Sequence, residues 1–172
     1  MNMSGEVTTA TPVSAKDESE GRPFGFMAPE GETAMVCEQD AAARDKIAGM
    51  LKSKGYAVVE AKSCGEAIKF MRFQIFNVIF VNENFDTPAG NVNSIVWNLE
   101  GLPMVTRRQT FVVLVSAALK TLDNMTAYNK SVNVIINKSQ IDDVEAIFKK
   151  ALAEHESFYH VFNGILRKQQ KV

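Results

Sequence analysis

The groups that could do chemistry stand at four points of the chain: Glu38, Gln39 and Asp40; Asn82, Glu83 and Asn84; Ser116; and Lys138. Carboxylates are hard oxygen ligands for a divalent cation, and one of them can act as a nucleophile toward phosphorus. A hydroxyl and an ammonium can recognise phosphoryl oxygens. The odd member is Asn82. It closes the apolar run Val78-Ile79-Phe80-Val81, and its amide can neither take a phosphoryl group nor hold a cation as a carboxylate would.

All four points follow short apolar runs. TAMVCE (33–38), YAVVEA (56–61), NVIFV (77–81), FVVLVS (111–116) and VNVIIN (132–137) read as strands. Helical segments fall between them. Asp40 is placed to cap the first, whose apolar face is Ala43, Ile47, Met50 and Leu51, and Gly55 stands where a left-handed residue ends it. SCGE (63–66) has the form of a capping box ahead of Ala67, Ile68, Met71 and Ile75. Residues 91–100 give a third helix with Ile95, Val96 and Leu99 inward, and 121–130 a short polar fourth. A long helix starts after Ser139.

Alternating strands and helices, with strands apolar throughout, predict an α/β fold: a doubly wound, five-stranded parallel sheet covered on both faces. Chemistry in such folds sits at the carboxyl ends of the strands, where all four points lie.

The chain has 172 residues, 46% of them apolar and 23% charged, with a net charge of −1. That is enough for one ordinary domain, and it carries no basic footprint for nucleic acid. No apolar run is long enough to span a bilayer, and no signal peptide is read after Met1. Cys37 and Cys64 have no Cys or His nearby, so a zinc site is not expected, nor any other metal or cofactor. Reduced thiols and a cytoplasmic location are the expectation. Residues 1–31 are rich in Ser, Thr, Glu, Gly and Pro, and read as a disordered leader or linker interrupted by Phe24, Phe26 and Met27.

Taken together, these features resemble the receiver domain of two-component response regulators, over about residues 33 to 154. That family's first strand ends in acidic residues and leads into an arginine-containing helix, matched by VCEQDAAAR (36–44). Its third strand ends in the aspartate that accepts phosphate, and FNVIFVN (76–82) puts Asn82 in that place. The fourth ends in Thr or Ser before Ala, matched by VLVSA (113–117). The fifth ends in Lys, usually before Pro; in IINKS (135–139) Lys138 matches and Ser139 replaces the Pro. Ile135 stands where the family commonly has Tyr or Phe.

The resemblance implies a flavodoxin-like, receiver-like fold. The departures at Asn82 and Gln39 imply a degenerate pocket, made of Glu38, Gln39, Asp40, Asn82, Ser116 and Lys138, without the nucleophile and with a depleted Mg²⁺ site. Asn82 is expected to accept a hydrogen bond from Lys138. The alternative roles are plainer: Ser116 capping a turn, and Lys138 neutralising Glu38 or Asp40.

The last helix continues past the expected end of the domain at residue 154. Over 155–172 it carries Phe158, Tyr159, Phe162, Ile165 and Leu166 on a heptad-like apolar face. That face either folds back on its own domain or pairs with another chain, and self-association into a homodimer is the expectation. His155 reads as a packing residue. Arg107 and Arg108, in the long segment before the fourth strand, read as solvated charges, with an acidic partner as the alternative.

The function expected is therefore a pseudo-receiver: a protein–protein interaction module in bacterial signalling, with no catalytic residues and no nucleic-acid or membrane partner. Two alternatives stand beside it. One is an atypical phosphoswitch accepting phosphate at Glu83 or Asp86, although a slip of one residue to present Glu83 would reverse every side chain of the strand. The other is a small-molecule-binding doubly wound domain, against which the first turn, CEQDAAAR, is acidic and lacks glycine. With two His residues, both on the last helix, no hydrolytic triad is readable.

Overall fold

A computed structural model describes residues 31–88 and 91–169. The leader expected over residues 1–31, with Phe24, Phe26 and Met27, lies outside the described residues apart from Gly31. Five parallel strands, β1 (Thr33–Cys37), β2 (Ala57–Glu60), β3 (Val78–Asn82), β4 (Phe111–Ser116) and β5 (Val134–Asn137), form one sheet in the order β2-β1-β3-β4-β5. This is the flavodoxin-like order of doubly wound folds.

Alternation along the strands builds two cores. Met35, Cys37, Ile79, Val81, Val112, Leu114 and Ile135 point to one face. There they meet α2 (Cys64–Phe73) through Ala67 and Phe70, α3 (Ser94–Glu100) through Ile95 and Leu99, and α5 (Asn124–Asn129) through Ala127. Ala34, Val36, Val78, Phe80, Val113, Val115 and Ile136 point to the other. They are covered by α1 (Ala41–Ser53) through Ile47 and Leu51, and by α6 (Val144–Gln169) through Val144, Phe148 and Ala151. Strands buried on both faces must be apolar at every position, which is why a period of two is hard to see in them.

Local chemistry sets the helix ends. Asp40 accepts a hydrogen bond from the Ala42 amide at 3.1 Å and starts α1. Gly55, at φ +88°, turns the chain out of it. Ser63 Oγ accepts from the Glu66 amide at 3.1 Å, as a capping box requires, but the Glu66 carboxylate reaches one residue further back, to the Lys62 amide at 2.6 Å. Asn93 caps α3 by accepting from the amides of Ile95 and Val96, so that helix begins at Ser94 rather than at residue 91.

The segment before β4 holds a short helix, α4 (Met104–Arg107). A 3₁₀ turn, Lys138–Asp143, separates β5 from α6. From there α6 runs unbroken for 26 residues, across the expected boundary at residue 154.

Candidate functional site

The strand order reverses beside β1, and the pairing of Cys37 with Val81 sets the next residues, Glu38 and Asn82, side by side in the crevice at the carboxyl end of the sheet. Both are buried, Glu38 at 2% exposure and Asn82 at 3%. The Asn82 Nδ2 donates to both oxygens of the Glu38 carboxylate, at 2.8 and 2.7 Å. Its Oδ1 accepts from the Asn84 amide at 2.9 Å. A carboxylate only accepts and a backbone amide only donates, so these neighbours fix which way the Asn82 side chain points.

The remaining contacts of Glu38 complete a cage of donors. The Asp40 amide donates to Oε1 at 3.0 Å, and Lys138 Nζ lies 3.4 Å from the same oxygen and 3.9 Å from Asp40 Oδ2. Lys138 thus pairs with the carboxylates, and the expected bond from Lys138 to Asn82 is replaced. The Asn82 oxygen is already taken by Asn84, and Glu38 is the stronger attraction for an ammonium. Gln39 is exposed and stands apart from this cage.

A Mg²⁺ ion does not fit this arrangement. The resemblance to receiver domains would call for oxygen ligands around the cation, whereas N–H donors from Asn82, Asp40 and Lys138 converge on the Glu38 oxygens. Among the described residues no group of three or more His, Cys, Asp or Glu side chains is placed to hold a metal.

Ser116 belongs to a different group of contacts. Asn82 pairs with Val115, so Ser116 lies beside Glu83, on the opposite side of the strands from Asn82. The Ser116 hydroxyl donates to Glu83 Oε2, and the same oxygen of Ser116 accepts from the amides of Ala118 and Leu119, both at 3.1 Å. Ser116 therefore caps a turn as well as meeting a carboxylate. Lys130 Nζ lies 3.3 Å from Glu83 Oε1. No register slip is involved: of the six expected pocket residues, Glu38, Asp40, Asn82 and Lys138 are joined on one side, alternation gives Ser116 to Glu83 on the other, and Gln39 is exposed and in neither group. Asp86, at φ +46°, accepts from the Cys64 amide at 2.9 Å, at the start of α2. Burial pushes the Cys64 thiol above its ordinary pKa, with the Asp86 charge adding to the effect.

Two residues with structural roles here were not singled out in the sequence. Lys130 is one. Asn93, 5% exposed, is the other: its Nδ2 donates to the carbonyls of Asn82 and Phe85, both at 3.2 Å, and so braces the loop after β3. An Asn directly before an apolar helical face is an N-cap signal, and that could have marked Asn93.

The last helix divides its residues between two sides. His155 packs on Phe111 with ring centroids 5.1 Å apart, Tyr159 on His155 at 4.7 Å, and Phe162 on Tyr159 at 6.2 Å. The Arg108 guanidinium sits 5.4 Å over the Phe162 ring. Tyr159 and Phe162 thus lie against their own domain, while Phe158 and Ile165 are exposed. The side chain of Leu166 lies outside the described residues. Arg107 is not a solvated charge. It donates to the carbonyls of Thr110 at 2.8 Å and Ser131 at 2.7 Å, and to Asn133 Oδ1 at 3.0 Å.

No protein-family model matches the chain, and no curated protein matches it. Solved structures do. A CheY-like receiver domain protein from Methanospirillum hungatei is 19% identical with a TM-score of 0.55, over 73% of this chain and 97% of that one. A CheY-like receiver domain from Methylobacillus flagellatus is 21% identical with a TM-score of 0.52, over 70% and 98%. NtrX from Brucella abortus is 18% identical with a TM-score of 0.57, over 81% of this chain and 30% of that one. No helix among the described residues is long and apolar enough to cross a membrane. This chain therefore has the fold of the CheY-like receiver domains of response regulators.

Proposed function

We propose that the chain is a pseudo-receiver, a receiver-fold module that works without phosphorylation. It acts in signal transduction by binding proteins rather than by catalysis, and it self-associates through α6. The observation that carries the first part is the double hydrogen bond from Asn82 to the buried Glu38 carboxylate. The amide stands in the phosphoacceptor's place, and Lys138 neutralises the carboxylate beside it. Self-association is supported by Phe158 and Ile165, large apolar side chains left exposed on the helix. The net charge of −1 offers nucleic acid no basic footprint.

The test is intact-mass spectrometry after incubation with acetyl phosphate and Mg²⁺. The unmodified mass is expected for the natural chain. A phosphoryl adduct mapped to any carboxylate would overturn the reading. One contact favours a second reading, phosphorylation at Glu83, because Glu83 is the carboxylate that meets the Ser116 hydroxyl. Peptide mapping in the same experiment decides between Glu83 and Asp86.

A further inference from the structure

Beyond the residues that lie against the domain, the far half of α6 carries Phe158, Val161 and Ile165, which are 80%, 71% and 52% exposed. Their spacing alternates three and four. Continued one step each way, it reaches Glu154 and Lys168, both exposed. The five residues form one seam with the period of a coiled-coil core, apolar in the middle and oppositely charged at its ends.

We propose that this seam pairs with the same seam of a second copy, antiparallel, about a two-fold axis at Val161. The proposal rests on the reading that the chain self-associates through α6, and it specifies the geometry. Charge decides the direction. In the antiparallel pair, Glu154 of each copy meets Lys168 of the other, and Phe158 meets Ile165. In a parallel pair, Glu154 would face Glu154 and Lys168 would face Lys168, and both contacts repel. An isologous contact of this kind closes on itself and gives a dimer rather than a chain of copies.

The shape agrees. From Glu154 to Lys168 the helix rises about 21 Å at the usual rise per residue. Along this length the domain lies against another side of the helix, through His155, Tyr159 and Phe162, and leaves Phe158, Val161 and Ile165 exposed. Gly164 flanks the seam, and a Cβ added there would meet nothing within 4 Å, so the domain's own packing does not require a glycine. In the antiparallel pair Gly164 falls beside Ser157 of the second copy, where small residues let two backbones approach closely. The seam is short, so the dimer dissociates on dilution.

The test uses full-length Glu154→Cys and Lys168→Cys variants, mixed and separate, under mild oxidation, with light scattering of the reduced proteins. Cys37 and Cys64 are buried, which keeps the background low. The expected result is a disulfide-linked dimer in the mixture and none in either variant alone. In a second arm, Glu154→Lys and Lys168→Glu each weaken the dimer roughly tenfold, and the double reversal restores it. A dimer that links in the single variants, or that never links 154 to 168, overturns the antiparallel seam while leaving self-association through α6 standing. A monomer at all concentrations overturns both.

Discussion

The Asn82 side chain gives both of its amide hydrogens to one carboxylate, that of Glu38, at 2.8 and 2.7 Å. This relationship explains the amide. Two carboxylates at that separation could not both stay charged without a cation between them. With Asn82 in place, the charge of Glu38 is met by protein donors alone: the amide of Asn82, the backbone of Asp40 and the ammonium of Lys138.

Asn82→Asp should therefore be destabilising at neutral pH. The new carboxyl faces Glu38, so its folded pKa lies above the unfolded value of about 4. Its sign follows: the variant keeps its stability below about pH 4 and loses it as pH rises through the raised value. Urea midpoints against pH, with the natural chain alongside, check this. Millimolar Mg²⁺ should restore part of the loss in the variant and leave the natural chain unchanged. A variant as stable as the natural chain at pH 7 without Mg²⁺ would refute the account.

Lys138→Met removes the ammonium while keeping most of the aliphatic stem. Glu38 then keeps its hydrogen bonds from Asn82 and Asp40 but loses its counter-charge in a site that is 2% exposed. The expected cost is about 1–3 kcal/mol by urea denaturation. The Glu38→Gln, Lys138→Met double variant should cost less than the sum of the two single changes, because the pair acts as a unit. Strict additivity would show that Lys138 does not act through Glu38.

Much of the fold was legible because its signals are local. Asp40, Ser63 and Gly55 mark helix ends where the chain turns, and five apolar runs between helical segments admit few arrangements. The site was legible only in part. Glu38 and Lys138 directly follow their strands and Asn82 ends its own, so strand ends bring them together. Ser116 also ends a strand, yet alternation aims it at Glu83, a neighbour that depends on the register between β3 and β4. Lys130 and Asn93 reach the site through loops whose paths no periodicity encodes. The partly buried role of Arg107 is not legible, because α4, with four residues, is too short to show a helical period.

His155 should make stability pH-dependent in a defined window. Its Nδ1 lies 3.2 Å from Asn133 Nδ2. Asn133 Oδ1 already accepts from the Val112 amide and from Arg107, so Nδ2 is the donor and His155 Nδ1 must accept. Burial first, and the Arg107 charge second, hold His155 below its ordinary pKa. A depressed histidine favours the folded state where it is neutral. Stability is thus full above the unfolded pKa of about 6.5 and falls as pH drops below it. The urea midpoint should decline between pH 7.5 and 5.5 in the natural chain, and less so in His155→Phe, which keeps a ring against Phe111. An equal decline in both would place the titration elsewhere.

Arg107 ties the start of β4, the turn before β5 and α6 into one unit. Its guanidinium joins the carbonyls of Thr110 and Ser131 to Asn133 Oδ1, and Asn133 in turn meets His155 on α6. Ser131 sits at φ +55°, a conformation that side chains rarely adopt, and the bond from Arg107 to its carbonyl helps hold it. Arg107→Lys keeps the charge but replaces a planar fork by a single point, so it cannot reach three acceptors in one geometry. The expected loss is about 2–3 kcal/mol for Arg107→Ala, with most of it retained in Arg107→Lys. Hydrogen exchange distinguishes the local role from a general one. The amide of Val112, which donates to Asn133 Oδ1 at 2.9 Å, should lose protection in both variants. Amides of β1 should lose only what the global loss of stability dictates. Full recovery of stability by lysine would mean that charge, and not the fork, does the work.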